Sequence, residues 1–333
     1  MGKPLSGIPL IDKGSSNMKD WISFIARRIL NSKSRYNPVL DDYTLSHADA
    51  LKSLLEHQES DSISWIGHAT FLIKLGGKSI LTDPFFSSVA GKFGLGPKRH
   101  TPPKIHIEDL PQIDIILCSH DHYDHLDMQS LTKIKNRFVT GIQIFCPLGL
   151  GKHFKQCGFT KITEMSWHEN VRHENLELFC LPAVHNSGRS LFDNNKTLWC
   201  SFGIKSEKLT LYFSGDTAYH PQIFQDCGHS LDQCDLAILG IGAYAPEHLL
   251  GKYHTTPEQA AKIALDLNAK NVIGMHWGTI SLSDEPVDEP IKRFAAALDS
   301  KSLWMIKIGE TKALNLLRNY ETTGNCSTSD DLL

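Results

Sequence analysis

The sequence has no apolar run long enough to cross a membrane and no pattern of a secretory leader. A spanning helix needs about 20 consecutive apolar residues, and no such stretch occurs among the 333 residues. The N-terminus also lacks an apolar segment followed by a small-residue cleavage site. We therefore expect a cytoplasmic protein that contacts a membrane, if at all, from its surface.

Two further features are scarce: paired cysteines and an excess of charge. The eight cysteines form no C-x-x-C pair, and several lie in apolar runs. This usage indicates buried thiols in a reducing compartment rather than disulfides or a cysteine zinc site. The net charge of −3 and the lack of a dense basic patch with aromatics give no reason to expect a nucleic-acid partner or a nuclease.

Three segments differ in composition. Residues 1–60 form an N-terminal arm with predicted helices at 19–31 and about 46–57, residues 61–320 one α/β domain, and residues 321–333 a polar tail. A Gly76-Gly77 turn joins two β-rich runs, SISWIGHATFLIKL and KSILTDP, as in a hairpin. Further strands are predicted at 113–118, 175–181, 198–205, 208–214, 235–241 and 271–276, helices at 129–136 and 257–267, and a strand pair within 302–316. The mixture indicates a layered α/β domain with mixed sheets.

The segment SHDHYDHLD at 119–127 carries the chemistry. His120, His122, Asp124 and His125 lie within six residues, directly after the apolar run 113–118. Imidazole nitrogens and carboxylate oxygens are natural zinc ligands, and sites of α/β folds lie where buried strands end. One loop with this spacing can seed two adjacent metal sites.

Three further candidates each follow an apolar run. His185 follows LFCLPAV, Asp216 follows LTLYFSG, and His276 follows NVIGM. One metal would take His120, His122 and His185, the other Asp124, His125 and His276, and Asp216 would bridge them. Each metal would keep an open position, which is typical of a catalytic site.

These motifs resemble a known family. The segments WIGHATFLI, LTDPFFS, FSGDTAYHP, GIGAY and HWGT are similar to those of the N-acylphosphatidylethanolamine-hydrolysing phospholipase D family, within the metallo-β-lactamase superfamily. The resemblance covers about residues 63–290. It implies a four-layer αββα sandwich with an N-terminal helical extension, and two zinc ions held by His120, His122, Asp124, His125, His185, Asp216 and His276. His254 falls on an active-site histidine of the family that is not a ligand.

The function implied by the resemblance is cleavage of the phosphodiester of N-acylphosphatidylethanolamines to phosphatidic acid and N-acylethanolamine. Asp216 and His254 are the predicted catalytic residues. Val184 and Asn186 beside His185 depart from the lipid-cleaving members, and this puts the acyl substrate in doubt. The same ligands would serve a hydrolase of a lactone or another phosphate ester, which is the alternative.

Other classes fit less well. Iron redox relatives of this fold use more carboxylates and an appended flavin domain, which this chain lacks, and the intact ligand set argues against a non-catalytic membrane protein. His68 is expected to support the site rather than ligate, and Tyr123 and Tyr244 to line the pocket or pack. The basic amphipathic stretch 19–31 is expected either to lie on a membrane or to dock on the domain. A homodimer is kept as an open expectation.

Overall fold

The computed structural model describes residues 19, 20, 22–24, 26, 41–139, 141–190, 192–298 and 302–318. Thirteen strands form two sheets. The first has the order β13-β1-β2-β3-β4-β5-β6 and the second β12-β11-β10-β9-β8-β7. The strands are β1 Ser62–Gly67, β2 Thr70–Leu75, β3 Lys78–Thr82, β4 Ile115–Leu117, β5 Gln143–Pro147, β6 Ile162–Met165, β7 Asn170–His173, β8 Leu176–Leu181, β9 Ser201–Lys205, β10 Thr210–Phe213, β11 Cys234–Gly240, β12 Ala269–Met275 and β13 Thr311–Ala313.

Seven helices are described besides the helical residues at 19–26. They are α1 His47–Glu56, α2 Met128–Arg137, α3 Gly151–Gln156, α4 Pro221–Leu231, α5 Glu247–Leu250, α6 Pro257–Asp266 and α7 Glu289–Ala297. Thr256 caps α6: its side chain accepts a hydrogen bond from the Gln259 backbone amide, and the Gln259 side chain accepts one from the Thr256 backbone amide. None of the helices in the described part of the chain is both long and apolar enough to cross a membrane.

Two apolar cores hold the layers together. The larger core joins the facing sides of the two sheets, for example Phe71 with Phe202, and extends to Phe224 and Phe294 of α4 and α7. The smaller core lies between the first sheet and the pair α2 and α3. Helices therefore cover both outer faces of a sheet sandwich, and the predicted four-layer α/β fold is confirmed.

Two local predictions were wrong. The run SISWIGHATFLIKL is two strands, because Gly67 and His68 both have positive φ (123° and 58°) and turn the chain between β1 and β2. The predicted strand pair in 302–316 is one strand, β13, followed by a 3₁₀ turn at Leu314–Arg318. Leu303 makes only an isolated bridge with Val272.

The part of the N-terminal segment at residues 44–56 is in contact with the sandwich. Ala50 of α1 is fully buried, and Ser53 Oγ donates to the Thr311 carbonyl of β13 at 3.1 Å. Leu45 N donates to Ile308 O at 2.9 Å. The predicted tail 321–333 lies outside the described residues, and the division at residue 60 stays a proposal.

We predict that Leu211→Ala lowers the free energy of unfolding by about 2–5 kcal/mol, because it leaves a cavity in the larger core. Leu211 is fully buried in β10. Leu265→Ala is the matched control, since that side chain is 78% exposed and its loss costs under about 0.5 kcal/mol. Denaturant unfolding measures both, and equal effects would contradict this assignment of the core.

Candidate metal centre

Strand ends bring the polar side chains together. Within the first sheet β1, β3 and β4 run in one direction, and within the second β8, β10 and β12 do. The segments after these strands carry the candidates: His68 after β1, Asp83 after β3, residues 120–125 after β4, His185 after β8, Asp216 after β10 and His276 after β12. The predicted ligands are thus adjacent in space although they span 157 positions of the sequence.

The first group consists of three histidines. His122 Nδ1 lies 2.9 Å from His120 Nε2 and 3.2 Å from His185 Nε2. Asp216 Oδ2 is 3.8 Å from the Nε2 atoms of both His120 and His185. These four residues each offer one donor atom within 4.8 Å of the others.

The second group contains Asp124, His125 and His276. The Nε2 atoms of His125 and His276 are 3.2 Å apart, and Asp124 Oδ2 lies 3.6 Å and 3.5 Å from them. Asp216 Oδ2 is 3.2 Å from each of the same two nitrogens. One carboxylate oxygen therefore lies within 4 Å of donors in both groups, where the sequence predicted a bridging residue.

This donor set fits a pair of cations. Nitrogens bound tetrahedrally at 2.0–2.1 Å are about 3.3 Å apart, close to the spacings of 2.9–3.2 Å between neighbouring imidazoles. Asp216 Oδ1 and His276 Nδ1 are buried and have no hydrogen-bond partner among the described residues. Burying so many donors together is costly without a positive partner.

The histidines of the site differ in the direction in which their pKa values are shifted. Burial lowers the pKa of His120 and of His185 well below the ordinary value, so both are neutral at pH 7 as ligation requires. Burial also opposes the charged form of His276, but the Asp216 and Asp124 carboxylates outweigh it and raise that pKa to about 9. Asp216 keeps a pKa well below its usual range, because His125 and His276 outweigh the effect of burial.

Asp83 is the residue that sequence reasoning missed. Its Oδ2 lies 2.7 Å from His125 Nδ1 and accepts from Ser119 Oγ at 2.6 Å, while its Oδ1 accepts from Ser119 N at 2.7 Å. The carboxylate thereby directs the Nε2 lone pair of His125 into the site. The available signal was the acid in LTDP directly after a strand, in the same position as the other candidates.

Two other supports hold the rings. His185 Nδ1 donates to the Tyr253 carbonyl at 2.8 Å. His68 Nε2 lies 2.8 Å from Asp124 Oδ2 and is placed as the predicted supporting residue, although it is near enough to the second group to be a donor itself. The hydroxyls of Tyr123 and Tyr244 donate to Arg189 O and Glu289 Oε1, which ties each ring to a neighbouring segment.

His254 lies at the outer side of the centre. Its Nδ1 is 3.8 Å from Asp216 Oδ2, and its side chain is 16% exposed where that of Asp216 is 3%. Its ring stacks on His276 with centroids 5.4 Å apart. Burial lowers its pKa to about 4 against the opposing carboxylate of Asp216. A small cavity adjoins His276 and has a mixed lining: the polar residues His100, Ser281, Ser283 and Glu285 together with the apolar residues Trp277, Ile280, Leu282 and Val287.

Comparisons with known proteins show the family and the fold of this chain. The family model described as Beta-lactamase superfamily domain matches residues 78–277. The N-acyl-phosphatidylethanolamine-hydrolyzing phospholipase D 1 of Caenorhabditis elegans is 36% identical over 257 residues, which are 74% of this chain and 72% of the worm protein.

A mitochondrial N-acyl-phosphatidylethanolamine-hydrolyzing phospholipase D of Saccharomyces cerevisiae is 38% identical over 68% of this chain, which spans about half (49%) of the yeast protein. A UPF0173 metal-dependent hydrolase of Thermodesulfovibrio yellowstonii is 29% identical, covering 75% of this chain and 90% of the relative. A metallo hydrolase structure from Ignicoccus hospitalis shares the fold with a TM-score of 0.59 and 21% identity, covering 75% of this chain and 97% of that one.

We predict that Asp83→Asn lowers metal affinity by about 10–100-fold, because the amide no longer holds His125 as the carboxylate does. Competition with a chromophoric chelator measures the affinity. Asp235→Asn is the control: this carboxylate is also buried (5% exposed) and accepts from the Thr210 amide at the start of β10, at the far end from the ligands. Unchanged affinity in Asp83→Asn would remove Asp83 from the centre.

Proposed function

We propose that this chain, which belongs to the N-acylphosphatidylethanolamine-hydrolysing phospholipase D family of the metallo-β-lactamase superfamily, is a dinuclear zinc phosphodiesterase. The reaction is hydrolysis of an N-acylphosphatidylethanolamine to phosphatidic acid and an N-acylethanolamine. The observation that carries the proposal is the pair of donor groups that meet at Asp216 Oδ2. Metal-dependent hydrolysis is the chemistry of the family.

The ligand assignment is part of the proposal. His120, His122 and His185 would hold one zinc ion, Asp124, His125 and His276 the other, with Asp216 between them. When bound, the pair supplies positive charge for a phosphodiester and activates water at neutral pH. Asp83 and the Tyr253 carbonyl keep the ligand rings oriented toward that position.

His254 acts as a neutral hydrogen-bond donor in this proposal. Because the pKa of His254 is about 4, its imidazole is neutral at pH 7 and is a poor acid for protonating the departing alkoxide. A neutral imidazole can still donate its N–H to a non-bridging phosphate oxygen. Its place at the exposed side of Asp216 suits such an orienting contact.

The cavity next to His276 does not by itself select a lipid. It is small, and His100, Ser283 and Glu285 line it together with Ile280, Leu282 and Val287. A lactone or a small phosphate ester would use the same metal ligands, whereas the lipid also needs an apolar surface for its acyl chains. The choice between the lipid and these alternatives therefore depends on the pocket and not on the metal ligands.

Membrane contact through residues 19–31 remains a prediction. Within the described part of that helix, Phe24 is 5% exposed and packs against Leu249 and Leu250, which favours docking on the domain at this position. Ile22 is 60% exposed. The homodimer likewise remains a prediction.

We predict that the zinc-loaded full chain releases N-acylethanolamine from N-acylphosphatidylethanolamine and leaves phosphatidylcholine intact. In ¹⁸O-labelled water the label enters phosphatidic acid, because water attacks phosphorus, and none enters the N-acylethanolamine. Mass spectrometry measures both products. Asp216→Asn should lower the rate by more than about a hundredfold, since losing a bridging ligand costs more than losing a supporting one. Asp235→Asn serves as the control, and hydrolysis of only lactones or water-soluble esters would refute the lipid assignment.

We predict that His254→Ala lowers kcat about 10–100-fold and that His254→Gln recovers most of it, because the glutamine amide can still donate a hydrogen bond. Metal content should be unchanged in both. Since the His254 pKa is about 4, no activity limb from this group is expected between pH 6 and 8. If both variants were equally inactive on the lipid yet active on a nitrophenyl diester, His254 would instead be the proton donor.

A further inference from the structure

A loop at the rim of the metal centre, residues 88–99, has a closed and well-defined base. Val89 and Lys98 pair as an antiparallel bridge, Ala90 N donates to Pro97 O at 3.0 Å, and Arg99 N donates to Ser88 O at 2.8 Å. At Gly91 an added Cβ would lie 1.8 Å from the Leu95 carbonyl oxygen. We call this segment the rim loop. Its tip is presented in a fixed conformation.

The tip of the rim loop exposes two large apolar side chains. Phe93 is 85% exposed and Leu95 is 76% exposed. Phe93 also has φ of +56°, a left-handed conformation that a glycine adopts without penalty and that costs another residue about 1–2 kcal/mol. The one contact of the ring among the described residues is Lys92 Nζ, 5.0 Å from its centroid, which at an exposed site contributes about 0.5–1 kcal/mol, so packing in the fold does not explain the phenylalanine.

The rim loop is attached to the metal centre at its root. Phe85 and Ala90 form a small buried cluster with Ile280, against which Tyr123 packs, and Tyr123 lies between the ligand candidates His122 and Asp124. Arg99 Nη1 donates to Phe85 O at 2.5 Å, and Ser87 N donates to Asp127 Oδ2 at 3.1 Å. The root of the rim loop is thus packed against and hydrogen-bonded to the segment that carries the ligand candidates.

A second loop attached to this segment has the same property. Gly188 N donates to Asp121 Oδ1 at 2.7 Å, beside the ligand candidates, and Phe192 farther along that loop is 84% exposed. Among the described residues, only four large apolar side chains are more than 70% exposed, and three of them (Phe93, Leu95 and Phe192) lie on these two loops. This concentration is unlike singly scattered surface residues.

We propose that Phe93, Leu95 and Phe192 insert into the interface of a phospholipid bilayer and bring the metal centre onto its surface. Lys92 and Lys98 flank the tip and are exposed, and they complement the phosphates of lipid head groups. The choice of a bilayer over a protein rests on the proposed function: a lipid with acyl chains stays in the bilayer, so the rim of the centre must meet it. This contact is separate from the predicted one at residues 19–31.

The test uses the full chain with Phe93→Gly and Leu95→Ser combined. Glycine removes the ring and relieves the left-handed conformation, so the melting temperature should not fall. Flotation with phosphatidylcholine vesicles containing phosphatidylglycerol should weaken by roughly tenfold or more, because two apolar anchors are lost. High salt should also weaken vesicle binding of the unmodified protein, because it screens the attraction of Lys92 and Lys98 for the lipid phosphates.

The matched control is Val139→Ser with Leu265→Ser, which also removes two exposed apolar side chains. Val139 and Leu265 are 69% and 78% exposed. Val139 lies just after the end of α2, and Leu265 lies in the last turn of α6. Both helices begin next to the centre and run about 15 Å away from it. This control should bind vesicles like the unmodified protein.

Several outcomes would overturn the proposal. Unchanged flotation of the rim-loop variant would do so, and so would equal losses in variant and control. If sedimentation velocity showed only a change from dimer to monomer, the surface would be a contact between copies. If Ile22→Ser alone abolished flotation, the segment 19–31 would carry the contact.

Activity separates this proposal from the proposed function. The rim-loop variant should cleave N-acylphosphatidylethanolamine in detergent micelles at the normal rate and in vesicles about tenfold more slowly. Loss of cleavage in both settings would contradict a role confined to the membrane. If the unmodified protein bound vesicles through the rim loop but cleaved no such lipid, the proposed function would be refuted and the membrane-binding surface would still be supported.

Discussion

The structure depends on one carboxylate oxygen, Asp216 Oδ2, around which four imidazoles converge. It lies 3.2 Å from the Nε2 atoms of His125 and His276 and 3.8 Å from those of His120 and His185. Parallel strands in two facing sheets are what bring these groups to one edge. Because these groups are nearly inaccessible to water, positive charge placed among them and Asp216 replaces the solvation that they lose.

Several residues around the centre have backbone conformations that would be unfavourable in an unconstrained chain. His68, Asp83 and His276, each directly after a strand, all have positive φ, of 58°, 33° and 65°. At Gly215, just before Asp216, an added Cβ would lie 2.6 Å from Ser119 Cβ. Such strain persists only where the surroundings enforce it, and here the two packed sheets do so. The sandwich therefore positions its ligands by fixing the turns that leave its strands.

The sequence alone located the ligand candidates because four of them are neighbours and each of the others follows an apolar strand. Asp83 escaped notice because a single acid after a strand is common, and its role appears only when His125 is placed beside it. The turn at Gly67 and His68 was missed because β-forming apolar residues continue on both sides of it, so the run was interpreted as one strand. The helix predicted at about 46–57 is α1, His47–Glu56, but its packing on β13 was not predicted from its own sequence.

Contacts outside the ligand set join the N-terminal segment to the centre, and these segments carry no pattern comparable to that of the ligands. Phe24 packs on Leu249 and Leu250, and the Leu250 carbonyl accepts from the amides of both Tyr253 (2.8 Å) and His254 (3.0 Å). Tyr253 in turn orients His185. Three successive contacts, Phe24 with Leu250, Leu250 with Tyr253 and Tyr253 with His185, therefore link the N-terminal helix to a ligand candidate. Membership of the family makes metal-dependent hydrolysis the chemistry of the chain, and these peripheral contacts connect the N-terminal segment to one of the ligand candidates.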